Sequence, residues 1–260
     1  MLKPFCSRGG LTDIHSHGWG LAWYHANAWN VINETEPACT SNKATEIIPL
    51  HLDTAKNLIC HIRYATVGAV SISNVHPFKR KLFSHEFVFA HNGDVPMFDN
   101  KKPSSLSEDE GSFRPVGETD SEFVFCTILN HLQANFDSLP SLAELHVAIE
   151  EICFDIAQEQ EGTILNFLLG IGDVIFAFSW PGARKGSTTW NGLFYTLKNA
   201  DNMRATCSSG SQVAVITTKP LTDDQSWTEF KKGDLILFVN GRAVSSEKLH
   251  ELEKYEYVLQ

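Results

Sequence analysis

Two consecutive helical periodicities in mid-chain, with strand-like runs on both sides, restrict the fold more than any other feature. Thr119-x-x-Glu122 is a capping-box pattern, and Phe123, Cys126, Thr127, Leu129, Asn130 and Leu132 follow at helical intervals. Ser141-x-x-Glu144 is a second such box, with Leu142, Leu145, Ile149, Ile152 and Ile156 on one helical face. Before them, residues 21–24, 29–32, 58–62 and 87–90 read as strands. The run over 58–64 is apolar enough for a strand buried on both faces. After them come runs at 164–169, 174–180, 193–197 and 213–217. Residues 235–239 then meet Asn240-Gly241, a two-residue hairpin signal, before Arg242-Ala243-Val244. Strands, two helices and more strands fit an α+β fold of two stacked sheets with helices outside.

The chain is long enough, at 260 residues with 43% hydrophobic content, to bury a sizeable core. No internal repeat and no Pro-, Gly- or Ser-rich linker divides it, so one domain over residues 1–260 is expected. Residues 100–111 read as a surface loop near the site and 247–257 as an acidic, helical tail. Basic residues number 21 against 31 acidic, a net charge of −10, and no basic cluster exceeds Lys79-Arg80-Lys81. That balance argues against nucleic acid and anionic membranes as partners. There is no 18-residue apolar run and no charged-then-apolar leader. The six cysteines lack C-x-x-C spacing and read as reduced thiols, and the expected location is cytoplasmic.

Chemistry-bearing residues gather at element ends. His91-Asn92-Gly93 follows the apolar run 87–90, so a strand is expected to deliver Asn92-Gly93 to a tight turn. There glycine lets the backbone approach a ligand, and the Asn amide can donate to a developing oxyanion. Arg63 ends another strand and offers a planar fork for a carboxylate. Asp120, in Glu118-Thr119-Asp120-Ser121-Glu122, offers the opposite charge for an ammonium, or simply complements the helix dipole. Together they describe an amino-acid site performing acyl transfer. His76 precedes Pro77 on extended backbone and can point into a cleft. For His76 and His91 a buried, backbone-bonded imidazole is the competing reading. His15-Ser16-His17 suggests a metal only weakly, because no carboxylate lies at ligand spacing; a turn into a core strand is the preferred reading, and no cofactor is expected.

These words resemble the class II glutamine amidotransferase family, in particular its stand-alone bacterial branch. His61-x-Arg63-Tyr64-Ala65-Thr66, Asn74-Val75-His76-Pro77-Phe78, Ala90-His91-Asn92-Gly93 and Glu118-Thr119-Asp120-Ser121-Glu122 stand in the family's order. Phe113-Arg114-Pro115-Val116-Gly117 and Lys219-Pro220-Leu221-Thr222, with Trp227 and Gly233, carry the branch resemblance. The resemblance implies a four-layer αββα sandwich of the N-terminal-nucleophile hydrolase type. It also implies hydrolysis of glutamine or a related γ-glutamyl compound through a cysteine thioester, with Asn92 and Gly93 in the catalytic role. Arg63, Tyr64, Thr66, His76 and Asp120 are the implied substrate-binding set, and a partner protein is the implied acceptor of ammonia.

Members of that family begin Met-Cys, and the Cys becomes the nucleophile once Met is removed. This chain begins Met1-Leu2-Lys3-Pro4 and, aligned on Arg8-Gly9-Gly10, is shorter by roughly twenty residues, a first strand with its connection. A mis-called start, a truncated chain and an inactive relative all remain open. Cys6 is the one nearby thiol, beside the Arg-Gly-Gly turn rather than on a leading strand. Two other classes of function stand beside hydrolysis: a non-catalytic module that binds glutamine or a γ-glutamyl compound, and a His-rich metal protein.

Overall fold

The computed structural model describes residues 2–52, 55–66, 68–99, 101, 111–199, 212–223, 226–244 and 249. In chain order the elements are α1 (Leu2–Arg8), β1 (Trp19–His25), β2 (Ala28–Glu34), α2 (Asn42–Leu52), β3 (Asn57–Ile62), β4 (Phe78–Leu82) and β5 (His85–Asp94). The two central helices follow, α3 (Asp120–Asn135) and α4 (Leu142–Glu159). The last group is β6 (Ile164–Ile171), β7 (Val174–Trp180), β8 (Gly182–Ala183), β9 (Trp190–Asn191), β10 (Phe194–Asn199), β11 (Gln212–Thr217), β12 (Thr228–Glu229), β13 (Asp234–Val239) and β14 (Arg242–Val244).

One antiparallel sheet runs β14-β13-β7-β6-β5-β4, and smaller sheets run β2-β1-β3 and β11-β10-β12. Strands alternate their side chains between faces, and here both faces are covered. Phe87 and Phe89 of β5, Phe167 of β6 and Phe176 and Phe178 of β7 meet Phe125, Leu129, Leu145 and Ile149 from α3 and α4. Val88, Ala90, Ile175 and Ala177, one step along, meet Trp29, Ile59, Leu193 and Phe230 from the smaller sheets. A third cluster backs the β2-β1-β3 sheet with Trp19, Leu21, Ala38, Ala44 and Cys6. Helices, sheet, sheets and helices are therefore stacked in four layers, as the motif resemblance implies.

Local chemistry explains most boundaries. Ser141 and Glu144 close a full capping box on α4. On α3 only half of one forms: Thr119 accepts from the Glu122 amide, while the Glu122 carboxylate accepts from Arg80 and the Gly117 amide instead. Asn240-Gly241 makes the expected hairpin, with both residues at positive φ. Ala26-Asn27 and Phe83-Ser84 make similar turns without glycine, which the sequence pattern did not signal. β3 touches core on both faces, but only Ile59 is fully buried, because the strand lies at a sheet edge. Loop 100–111 lies outside the described residues apart from Lys101 and Gly111, as does the tail apart from Leu249, which is buried against the helix-side core. Among the described residues no helix is long and apolar enough to cross a membrane.

Candidate active site

β5, β3 and α3 bring their ends to one edge of the sandwich, and a cleft opens there. His15, His61, Arg63, Tyr64, Thr66, His76, His91, Asn92, Gly93, Thr119, Asp120, Ser121 and Arg184 are among its lining residues. All seven residues singled out from the sequence, Arg63, Tyr64, Thr66, His76, Asn92, Gly93 and Asp120, are thus brought together.

One expectation is corrected. Asn92-Gly93 is no tight turn: β5 continues through Asp94, and Asn92 and Gly93 pair with Asn166 and Leu165 of β6. Glycine is required there for a different reason. A Cβ on Gly93 would collide with the Ile164 carbonyl oxygen and His91 Nε2, so the neighbouring strand demands the missing side chain. Asn92 points to the opposite face from His91, and its Oδ1 is buried without a partner. Its own carbonyl accepts from Asn166 Nδ2 at 3.2 Å.

His91 is held from both ring nitrogens. Ile164 offers a carbonyl at 3.2 Å, so Nε2 donates and Nδ1 accepts from the Ser121 hydroxyl at 2.9 Å. Burial lowers its pKa, against the opposing pull of Asp120. The His61 and His76 rings pack at a tilt, 4.2 Å between centroids. Burial, then the His91 and His15 charges, pushes His61 down to about 3. His76 is likewise driven well below the usual imidazole range, first by burial and then by His61. His61 Nδ1 and both nitrogens of His76 are buried with no hydrogen-bond partner. Neutral imidazoles, each with a lone pair or N–H on offer, therefore line the cleft.

The opposite charges sit on separate supports. Arg63 directly follows β3; its guanidinium is buried, donates to the Ala69 carbonyl at 3.3 Å and lines the cleft. Asp120 is the first residue of α3, where its charge complements the helix dipole. Its Oδ2 accepts from the Val95 amide at 2.9 Å and its Oδ1 from the Ser121 amide at 2.8 Å, which fixes the carboxylate toward the end of β5. Tyr64 is exposed and meets His15 edge-on and His17 at a tilt. His17 of the H-x-H pair accepts from the Ala65 amide at 3.0 Å, which makes it a brace for the Arg63 segment. Among the described residues no three His, Cys, Asp or Glu are grouped to hold a metal.

Sequence reasoning missed three supports. Buried Asn74 donates to the Ala69 carbonyl at 2.9 Å and accepts from the Glu118 amide at 2.8 Å, joining the Arg63 segment to the Asp120 segment. Asn33 donates to the carbonyls of Val75 and Pro77 and so positions His76, whose bond to Pro77 is cis. Arg184, between β8 and β9, donates to the Gly93 carbonyl at 2.6 Å. Each makes a hydrogen bond across 40 or more residues of chain, beyond the reach of any local pattern; only the N-x-H-P-F word marked Asn74 at all. Cys6 lies elsewhere, on α1 against the third core cluster, and burial raises its thiol pKa. Among the described residues no cysteine lines the cleft.

The family profile described as Glutamine amidotransferases class-II matches residues 1–257. A Haemophilus influenzae protein named "Putative glutamine amidotransferase" is 32% identical over 256 residues, covering 94% of this chain and 80% of its own length. The crystal structure of a predicted glutamine amidotransferase from Pseudomonas aeruginosa superposes with a TM-score of 0.66 at 27% identity, over 92% of this chain and 91% of that one. The allosteric regulatory enzyme of purine biosynthesis shares the fold, with a TM-score of 0.59 at 16% identity, over 92% of this chain and 45% of its own.

Proposed function

The chain belongs to the class II glutamine amidotransferase family, and from that premise we propose that its cleft binds glutamine or a related γ-glutamyl compound for amide hydrolysis. The observation that carries this reading is convergence. Arg63 after β3, Asn92 and Gly93 near the end of β5 and Asp120 at the start of α3 line one cleft although they are far apart in sequence.

In this reading Arg63 takes the α-carboxylate and Asp120 the α-ammonium, setting the γ-carbonyl against β5. Asn92 and the Gly93 amide receive the tetrahedral oxyanion, and one such donor is typically worth about 3 to 4 kcal/mol. A cysteine thiolate attacks the γ-carboxamide, ammonia or an amine leaves, and water hydrolyses the γ-glutamyl thioester. The ammonia passes to a partner protein or to solvent. The described lining residues do not include a thiol; the second reading is a module that binds the amino acid without turning it over.

Release of glutamate and ammonia from glutamine is the measurement. Loss of the nucleophile from a covalent mechanism typically costs on the order of 10⁶ in rate, so on the second reading residues 1–260 alone stay at background and Cys6→Ala changes nothing. A version extended upstream to a Met-Cys start should recover hydrolysis, and changing that Cys to Ala should abolish it. Turnover by the given chain that Cys6→Ala stops would make Cys6 the nucleophile and overturn this reading.

A further inference from the structure

The outer side of the helical layer carries a groove that the proposed chemistry does not use. It lies between α3 and α4, with a volume of about 630 Å³. Phe136 at the end of α3 and Ala143, Glu144, Val147, Ala148 and Glu151 of α4 are among its lining residues. Ala143, Val147 and Glu151 are one helical turn apart and form a stripe along the groove. Within that stripe Val147 is 51% exposed. Asp120, at the other end of α3, lines the cleft, and the length of the helix sets the two places roughly 20 Å apart.

The surroundings have one sign. α4 carries Glu144, Glu150, Glu151, Asp155 and Glu159 with no Lys or Arg, and α3 has no Lys or Arg either. The sequence holds none from Pro115 to Ala183, where the basic side chains are His131 and His146 alone. Among the described residues none of the five α4 acids forms an ion pair. Surfaces usually intersperse the two signs; here acids alone flank an apolar floor.

We infer that this groove docks an amphipathic helix of another protein, with aliphatic anchors on one face and Lys or Arg beside them. Anchors at i, i+3 and i+4 fill a groove between two helices, and the flanking cations meet Glu144 and Glu151 at its rim. Charge complementarity selects this occupant. A second copy of the chain, at a net charge of −10, would bring like charge to the groove. The chain's own α1 and α2 are already committed, through Cys6 and Ala44, to the third core cluster.

The test is binding by the full chain, with a peptide of about 18 residues as probe, Leu along one helical face and Lys elsewhere. One control replaces its Lys with Glu; the other keeps the composition and scatters the leucines round the helix. Fluorescence anisotropy of the labelled peptides reads affinity, and amide hydrogen exchange reads location. The amphipathic Lys peptide should bind saturably, weaken as salt rises and slow exchange over residues 131–151. The scattered peptide should bind roughly tenfold or more weakly, and the Glu peptide not at all. Val147→Glu separates groove from charge. It makes the face more acidic, yet it should weaken the amphipathic Lys peptide roughly tenfold or more, because the apolar floor is lost. Glu151→Lys should weaken it as well.

Equal affinity for the two Lys peptides, unchanged affinity in Val147→Glu or Glu151→Lys, protection of another surface, or no binding overturns the inference. Sedimentation of the chain alone supplies one more outcome: self-association that Val147→Glu abolishes would make the groove a contact between copies and overturn it. Should Val147→Glu not fold, Val147→Ser takes its place, with weaker binding supporting the inference and unchanged binding overturning it.

Discussion

His61 and His76 lie with their ring centroids 4.2 Å apart in the cleft; His76 is buried and His61 half-buried, and each has at least one buried ring nitrogen lacking a partner. Two imidazoles so placed cannot both be charged, and burial in the sandwich already opposes charging either one.

Stability should therefore fall in mild acid. His61 titrates near 3 when folded, against 6.5 for the exposed side chain, and His76 is depressed in the same direction. A depressed His pKa means that the unfolded chain binds protons the folded chain refuses. The folded state is unpenalised above about pH 6.5 and loses stability as pH falls from there. By pH 5 a histidine that titrates near 3, as His61 does, costs roughly 2 kcal/mol, and His76 acts in the same direction. Urea unfolding at pH 7, 6 and 5 reads this before most carboxylates titrate. His61→Gln should flatten the dependence, and a flat profile for the unaltered chain would refute the claim.

Arg63→Ala and Asp120→Ala should each weaken glutamine binding by about 1.5 to 3 kcal/mol, the range for a hydrogen bond to a charged group. Asp120→Ala should also lower the melting temperature, since the Val95 and Ser121 amides lose their acceptor. Calorimetry separates the two effects. Unchanged affinity in both variants removes these residues from the site.

Arg80→Ala should destabilise the fold by about 3 to 5 kcal/mol. Glu122 is only 1% exposed, and Arg80 is the cation that partners its carboxylate. Arg80→Ala with Glu122→Gln should be milder than Arg80→Ala alone, because the pair then leaves no buried charge. Equal losses for the single and double variants in denaturant unfolding would contradict this account.

Gly93→Ala should cost stability and binding together. Its Cβ would meet the Ile164 carbonyl and the His91 ring, so β5 must shift against β6. Overpacking of this kind typically costs 1 to 3 kcal/mol. An alanine variant that melts like the parent and binds glutamine equally would show that the strand has room to yield.

The sequence by itself determined the element types and most of the site's cast. The Ser141 capping box, the Asn240-Gly241 hairpin and the apolar runs of β5, β6 and β7 are read from neighbouring residues alone, because caps, turns and strand alternation are interactions within a few positions. Arg63, Asn92, Gly93 and Asp120 were visible for the related reason that each ends or opens such an element. Tertiary structure alone decided where those residues stand. Asn92-Gly93 read as a turn and proved to be strand, since whether β5 stops at His91 or runs to Asp94 depends on β6, some 70 residues away. The contact between His61 and His76, the Asn74 bond to Glu118 and the Arg184 contact with Gly93 were not legible there. Hydrogen-bond partners and burial depend on which segments the core packs side by side, and no local pattern carries that.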